Sequence, residues 1–427
     1  MNTTLLPIIA LAFAALFQTA GNNQVAPIRV EVDSPRIQKL KQQVAVGDTK
    51  AVDEFWRALK VNGAPLIETI AGDRDHSLIS FVYRGDGSTN GVVVFSQLSY
   101  STGPAGDQLV HLAGTDVWYK SFLVRNDTRI SYSFRPNSTA DIPDPLNPKT
   151  VPPGTNVGRS VLELPGAPDQ PWIKVRPGAK KGELVEQTVK SAVLKTDRRF
   201  WIYTPPGFDP KRAAAYPLLI CFDGDEYWNA DQVPTPTILD NLIADVKIPP
   251  IVAVFIDQAP QPQRNIELGN NEPFVEFVTN EVLPIVRKQA RATADPRQTI
   301  VCGSSAGGLG SAFFAFKRPD VYGNVLSQSG AFWPGQKRSD PDREWITRQY
   351  EASPKLPVRF VLQVGAIEVW NTVGNGPSIR DVNRHLRDVL FAKGYSFSYQ
   401  ETGGAHEPLS WRGGIAEGLI WLIAAPK

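Results

Sequence analysis

The sequence predicts an α/β fold, a mostly parallel β-sheet with helices on both faces, preceded by a smaller all-β sandwich domain. Two patterns predict it. From about Gly182 onward, apolar runs of strand length (PLLICFDG, PIVAVFID, QTIVCGSS, GNVLSQSG, VRFVLQVG) alternate with amphipathic stretches such as PFVEFVTNEVLPIVRKQ and IRDVNRHLRDVLFAKG. Strands that are apolar at nearly every position are buried on both faces, and the intervening helices supply the cover. Between Val30 and Pro136, short runs rich in β-branched and aromatic residues (SLISFVYRG, TNGVVVFSQLSY, DVWYKSFLV, RISYSFRP) are instead divided by turn residues at sandwich spacing.

The elements follow in chain order. Leu5 to Phe17 is an apolar run too short to span a bilayer comfortably, and Thr19, Ala20 and Gly21 follow it. Residues 1–22 therefore read as a signal peptide, with an uncleaved anchor as the alternative, and the mature chain is expected to be exported, periplasmic or secreted. VGDTKAVDEFWRAL, Val46 to Leu59, reads as a helix with an Asp cap. The β domain occupies 30–136. Residues 137–181 hold a dense share of the chain's 36 prolines and read as an extended linker, because proline removes a donor and fixes φ. The catalytic unit is expected over 182–427, starting with the paired strands LVEQTVKSAVL and RRFWIYTP.

Charge excludes some functions. With 45 Lys+Arg against 43 Asp+Glu the net charge is +2, so there is no footprint for nucleic acid or for an anionic membrane, and no stable membrane insertion is expected after signal cleavage. The two cysteines, Cys221 and Cys302, sit in apolar strand runs and read as buried thiols; a strained bridge between neighbouring strands is the alternative. No Cys/His cluster has metal-ligand spacing, and no metal or organic cofactor is implied.

Chemistry concentrates in QTIVCGSSAGGLGSAFFAF. An apolar strand ends in Gly303-Ser304-Ser305-Ala306-Gly307 and passes directly into a helix, the context of an α/β-hydrolase nucleophile elbow. Serine must stand on a sharp turn clear of the sheet, and Gly303 and Gly307 leave room for that turn. Ser305 is the expected nucleophile, and the Ala306 N–H one oxyanion donor. The alternative is a glycine-rich turn with an incidental serine. A serine needs a base, and the chain has four histidines. His76 and His111 lie in the β domain and His385 lies mid-helix, whereas His406 follows a strand in the loop GGAHEP and precedes the last helix. His406 is the expected base. The acid should follow VRFVLQVG, which gives Glu368, with Asp381 as the rival at a helix start. A second oxyanion donor is expected from the backbone of Asp225 or Gly224. No metal enters this scheme, whose partner is a small-molecule ester.

GSSAGGLGSAFFAFKRPDVYGNVLSQSGAFWP and GGAHEPLSWRGGI resemble the enterochelin (enterobactin) esterase family, within the esterase D-like α/β hydrolases. CFDGDEYW and RNIEL match at corresponding places, and LAGTDVWYKSFLVRNDTRISYSF is similar to the family's N-terminal immunoglobulin-like module. The resemblance implies Ser305, His406 and Glu368 as nucleophile, base and acid. It implies Arg264 and Arg412 as cations near a catecholate siderophore substrate; the bland alternative pairs Arg264 with Glu267. Trp333 and Trp411 line the pocket or pack beneath it. The segment VWNTVGNGPS after Glu368 is longer than the family's loop. Two other readings stand beside this one: an exported carbohydrate esterase of feruloyl or acetyl type, and a non-catalytic binding protein on a hydrolase fold.

Overall fold

The computed structural model describes residues 34–98, 107–151, 158–337, 340–369 and 376–424. The segment read as a signal peptide lies outside these residues, as does most of the loop VWNTVGNGPS.

Two helices come first, α1 (Pro35–Ala45) and α2 (Ala51–Asn62). Ser34 caps α1 by accepting the Ile37 N–H, and Pro35 stands at the first helical position, where a missing donor is harmless. The expected helix over Val46 to Leu59 begins instead at Ala51, because Gly47 turns the chain at φ 81°. Asp48 accepts the Lys50 N–H but does not cap the helix. Ile37, Leu40, Trp56 and Leu59 pack with Leu66, Val82 and Tyr119 of the sheet below. The region is therefore not all-β.

Among the described residues nine strands follow: β1 (Leu66–Ile70), β2 (Asp73–Arg84), β3 (Val92–Ser96), β4 (Asp107–Gln108), β5 (Val110–His111), β6 (Val117–Arg125), β7 (Arg129–Pro136), β8 (Thr150–Val151) and β9 (Arg159–Glu163). They form antiparallel sheets of order β1-β2-β6-β5 and β4-β3-β7-β9-β8. Phe81 and Phe122 of one sheet meet Ile130 and Phe134 of the other in a shared apolar core. The expected linker over 137–181 is corrected in part, since β8 and β9 lie inside it and complete the second sheet. Prolines flank the run Arg159–Glu163 without interrupting it, so its ladder to β7 survives.

The remaining strands are β10 (Glu183–Lys190), β11 (Asp197–Thr204), β12 (Leu218–Cys221), β13 (Val252–Ile256), β14 (Thr299–Ser304), β15 (Asn324–Gln328), β16 (Arg359–Gly365) and β17 (Ser396–Thr402). They make one sheet of order β10-β11-β13-β12-β14-β15-β16-β17. Six strands run parallel, while β10 and β11 close one edge antiparallel. Among the described residues nine α-helices accompany them: α3 (Gly224–Tyr227), α4 (Thr235–Ala244), α5 (Gln263–Glu267), α6 (Glu272–Glu276), α7 (Leu283–Ala290), α8 (Ala306–Lys317), α9 (Trp345–Ala352), α10 (Ile379–Ala392) and α11 (Pro408–Ile423). The stretch PFVEFVTNEVLPIVRKQ is one helical rod with a π-helical segment at Phe277–Val282. Pro284 cannot donate to the preceding turn, and the wider segment absorbs the lost bond.

Alternate residues of the strands face opposite helical layers. Leu218 and Ile220 join Phe277, Phe314 and Leu386 on one face; Leu219 and Cys221 join Ile238, Ile415 and Leu419 on the other. Cys221 and Cys302 are in-register neighbours, both buried and both free thiols. β13 and β14 flank β12, so consecutive crossovers diverge there, and a site is expected at the carboxyl ends of these strands. No described helix is long and apolar enough to cross a membrane.

Candidate active site

Ser305 sits between the last residue of β14 and the first of α8, at φ 55° and ψ −118°. An L-residue holds such a conformation only where its surroundings enforce it. Here the Ser305 amide donates to the Gln328 carbonyl at 2.9 Å, and its carbonyl accepts from the Ala331 amide at 2.9 Å. A Cβ on Gly303 would lie 2.7 Å from the Gly307 carbonyl carbon, so only glycine lets the strand and helix approach this closely. Ser304, one residue earlier, is buried in the strand.

His406 and Glu368 meet in the loops after β17 and β16. His406 Nδ1 lies 2.6 Å from Glu368 Oε2. A carboxylate acceptor there puts the proton on Nδ1 and leaves Nε2 as the basic nitrogen. Glu368 is fully buried, and its second oxygen accepts from the Gly365 amide at 2.7 Å and the Ser329 hydroxyl at 2.6 Å. Ser329 in turn accepts from the Trp411 indole at 3.0 Å, and that indole stands edge-on to His406 with ring centroids 5.2 Å apart. A buried carboxylate persists only when donors surround it, and this one has three. The rival Asp381 belongs to a capping box with Ser378 at the start of α10. The other histidines have their own partners: His76 faces Asp73, His111 the Thr115 carbonyl, and His385 Glu344.

Ala306 opens α8, and Gly224 and Asp225 open α3. Amides in a first helical turn have no intrahelical acceptor, so all three suit oxyanion donation. A Cβ on Gly224 would lie 2.6 Å from the Phe255 carbonyl carbon, which presses this loop against β13. Asp223 precedes it in a left-handed conformation at φ 52°. Arg264 grips Asp223 with two parallel bonds, Nε to Oδ1 at 2.6 Å and Nη2 to Oδ2 at 2.5 Å. The arginine keeps 12% of its side chain exposed and the aspartate 1%. Burial raises the Asp225 carboxyl, and the Asp223 charge adds to it. Burial and the same charge push Glu226 up to about 8 against the opposing pull of Arg264. Glu226 Oε1 is sealed from solvent with no hydrogen-bond partner among the described residues.

The two expected cations both have partners within the protein. Arg264 pairs with Asp223 and not with Glu267, which holds Arg198 at 2.6 Å. Arg412 donates to Gln170 at 2.8 Å within the seam between the two units. Burial lowers its pKa, and the nearby Arg129 charge lowers it further. Trp333 is buried in the core with Ala306 and Leu309, and Trp411 supports Ser329; both pack beneath the site. Behind Glu368, a cavity of about 60 Å³ lies in the same seam, lined by Arg129, Gln170, Ser329, Gly365 and Trp411 among others. Among the described residues no group of three His, Cys, Asp or Glu is placed to hold a metal ion.

A family model described as a putative esterase matches residues 191–422, more than half of the chain. A second, described as the enterochelin esterase N-terminal region, matches 78–173. The chain belongs to the enterochelin esterase family. It is 30% identical over 420 residues to the iron(III) enterobactin esterase of Dickeya dadantii, covering 87% of this chain and 93% of that one. The corresponding Escherichia coli esterase is 32% identical over 333 residues, covering 72% and 80%. The crystal structure of ferric enterobactin esterase from Salmonella typhimurium superposes with a TM-score of 0.72 at 27% identity, covering 87% of this chain and 98% of that one. Like these enterochelin esterases, the chain is a carboxylic ester hydrolase with an esterase-type α/β fold. The N-terminal match runs past Pro136 to residue 173, and the second sheet also runs past Pro136, ending at Glu163.

Three residues escape the sequence reading. Ser329 follows β15 at φ 50°, and its only signal is a serine just past a strand end near the elbow. Asp223 stands two residues past the end of β12, also at positive φ. Glu407 adjoins His406 and gives no signal of its own, because its partner lies 276 residues away.

Proposed function

We propose that this enterochelin esterase family member opens the ester bonds of a catecholate siderophore lactone through an acyl-enzyme on Ser305. The observation that carries the proposal is the His406–Glu368 pair at 2.6 Å, built on the strand ends beside a serine elbow at φ 55°. The substrate class follows the relatives named iron(III) enterobactin esterase.

In this reading His406 Nε2 takes the Ser305 proton as Oγ attacks the ester carbonyl. The buried Glu368 carboxylate offsets the charge that forms on the imidazole. The developing oxyanion meets the amides of Ala306 and of Gly224 or Asp225. The leaving alkoxide takes the proton from His406, which opens the ring and leaves the acyl group on Ser305. Water, deprotonated by His406, then releases the carboxylic acid.

The reading also takes the unit before residue 165 as an immunoglobulin-like module with two added helices, and the mature protein as exported after cleavage near residue 22. Two antiparallel sheets sharing one core support the first, and the apolar run Leu5 to Phe17 supports the second. The mass of the mature N-terminus tests the export claim.

The function is tested by labelling with a fluorophosphonate and by chromatographic assay of a catecholate trilactone beside a feruloylated sugar. Labelling lost in Ser305→Ala and turnover of the trilactone alone are expected. Equal labelling of Ser305→Ala refutes the nucleophile, and turnover of the sugar ester alone replaces the substrate class.

A further inference from the structure

His406 lies in a short loop between β17 and α11, which is tied to the start of α11 by the Ala405 amide donating to the Ser410 hydroxyl at 2.9 Å. The N-terminal β unit touches it on both sides. Upstream, the Gly403 amide donates to Asp127 Oδ2 at 2.8 Å, and Arg125 holds Asp127 through both carboxylate oxygens. Downstream, Glu407 is directed out of the catalytic unit: its Oε1 accepts from the Ser131 amide of β7 at 2.9 Å and its Oε2 from the Ser131 hydroxyl. Two residues later, Gln170 from the stretch joining the two units donates to the Leu409 carbonyl at 3.0 Å.

The apolar contacts repeat the pattern. Ala405, immediately before His406, is fully buried inside the core cluster of the β unit, beside residues such as Phe81 and Tyr132. Ile367, immediately before Glu368, packs against the same cluster. The residues preceding both members of the acid–base pair are thus seated in the core of the other unit. Glu407 is half-buried; the loss of hydration raises its carboxyl above the usual range, and the two Ser131 donors oppose that rise. A carboxylate in that position depends on those donors.

We infer that the N-terminal β unit is a working part of the hydrolytic apparatus, with Ser131 and Glu407 as positioning residues that set His406 against Ser305. This rests on the reading of His406 as the base. The clamp acts through geometry: a misplacement of about 1 Å in a reacting group can cost roughly 100-fold in rate. It also accounts for a half-buried carboxylate beside the base that is turned to Ser131 and takes no part in the proton transfer.

The test compares Ser131→Ala, Ser131→Thr and Ile367→Val in the full chain, with His406→Ala as reference. For each, kcat, KM, the pH profile of kcat/KM and the fluorophosphonate labelling rate of Ser305 are measured well below the unfolding midpoint. Ser131→Ala should lose kcat by about tenfold to 100-fold at unchanged KM, with labelling slowed in parallel and the pH profile displaced. Ser131→Thr, which keeps the hydroxyl donor, should restore the rate. Ile367→Val, which removes one methyl beneath Glu368, should show a smaller loss of the same kind and serves as the readout if Ser131→Ala does not fold. Wild-type kcat and pH profile in the folded variants, with His406→Ala inactive, overturn the inference. Activity in His406→Ala overturns the assignment of the base instead.

Discussion

Replacing Glu368 with glutamine keeps the shape of the site and removes one charge. The structure specifies how the amide must sit. One side-chain oxygen position receives two donors, the Gly365 amide at 2.7 Å and the Ser329 hydroxyl at 2.6 Å. The glutamine oxygen must take that place, which leaves its NH₂ facing His406 Nδ1 at the 2.6 Å contact. Two donors cannot share that contact, so the imidazole moves its proton to Nε2, the nitrogen that should accept from Ser305. The base is then in the wrong tautomer. A carboxylate-to-amide change of this kind in a serine triad lowers kcat by about 10⁴-fold, or about 5.4 kcal/mol of transition-state stabilisation. Folding should change by no more than about 2 kcal/mol, since the volume and two of the three bonds are kept. Single-turnover and steady-state hydrolysis of the trilactone measure the first quantity and urea unfolding the second. A Glu368→Gln enzyme within about tenfold of wild type, with unaltered folding, would refute the assignment of the acid. Asp381→Asn is the control: it weakens the α10 capping box by about 1 kcal/mol and should leave kcat intact.

Other consequences follow from the same geometry. Arg264→Met strands the buried Asp223 carboxylate and should cost about 3–5 kcal/mol in urea unfolding, much of it recovered in the double variant with Asp223→Asn. Glu226, pushed from its ordinary value up to about 8, favours the folded state most at acid pH. Its contribution is complete below the unfolded value and fades as pH rises toward 8, with a slope of at most about 1.4 kcal/mol per pH unit. Glu226→Gln should flatten that dependence in unfolding measured from mildly acid to mildly alkaline pH. Gly303→Ala places a methyl 2.7 Å from the Gly307 backbone, where nothing flexible can yield. It should displace Ser305 and reduce fluorophosphonate labelling by roughly 100-fold.

Much of the fold was legible because its signals are local. Near-continuous apolar strands such as Leu218–Cys221 report burial on both faces, and the elbow spelling follows from steric demands within five residues. His406 was reached from four histidines and the order of elements. The boundaries of the N-terminal unit are less legible: the prolines around Arg159–Glu163 obscure a strand that only its partner β7 reveals, and the Ser34–Pro35 start of α1 is a short signal among β-rich neighbours.

The sequence by itself determined the sheet and brought forward Ser305 and His406 as candidates, because periodicity and turn chemistry act over a few residues. Only the tertiary structure separated Glu368 from Asp381, since the choice depends on which carboxylate reaches His406 and which caps a helix. It likewise committed Arg264 to Asp223 and turned Arg412 into the seam, because a charge near a low-dielectric interior takes the partner within reach rather than the one nearest in sequence. The hold of Ser131 on Glu407 spans 276 residues, and no local pattern encodes a bond whose two ends meet only when both units have folded.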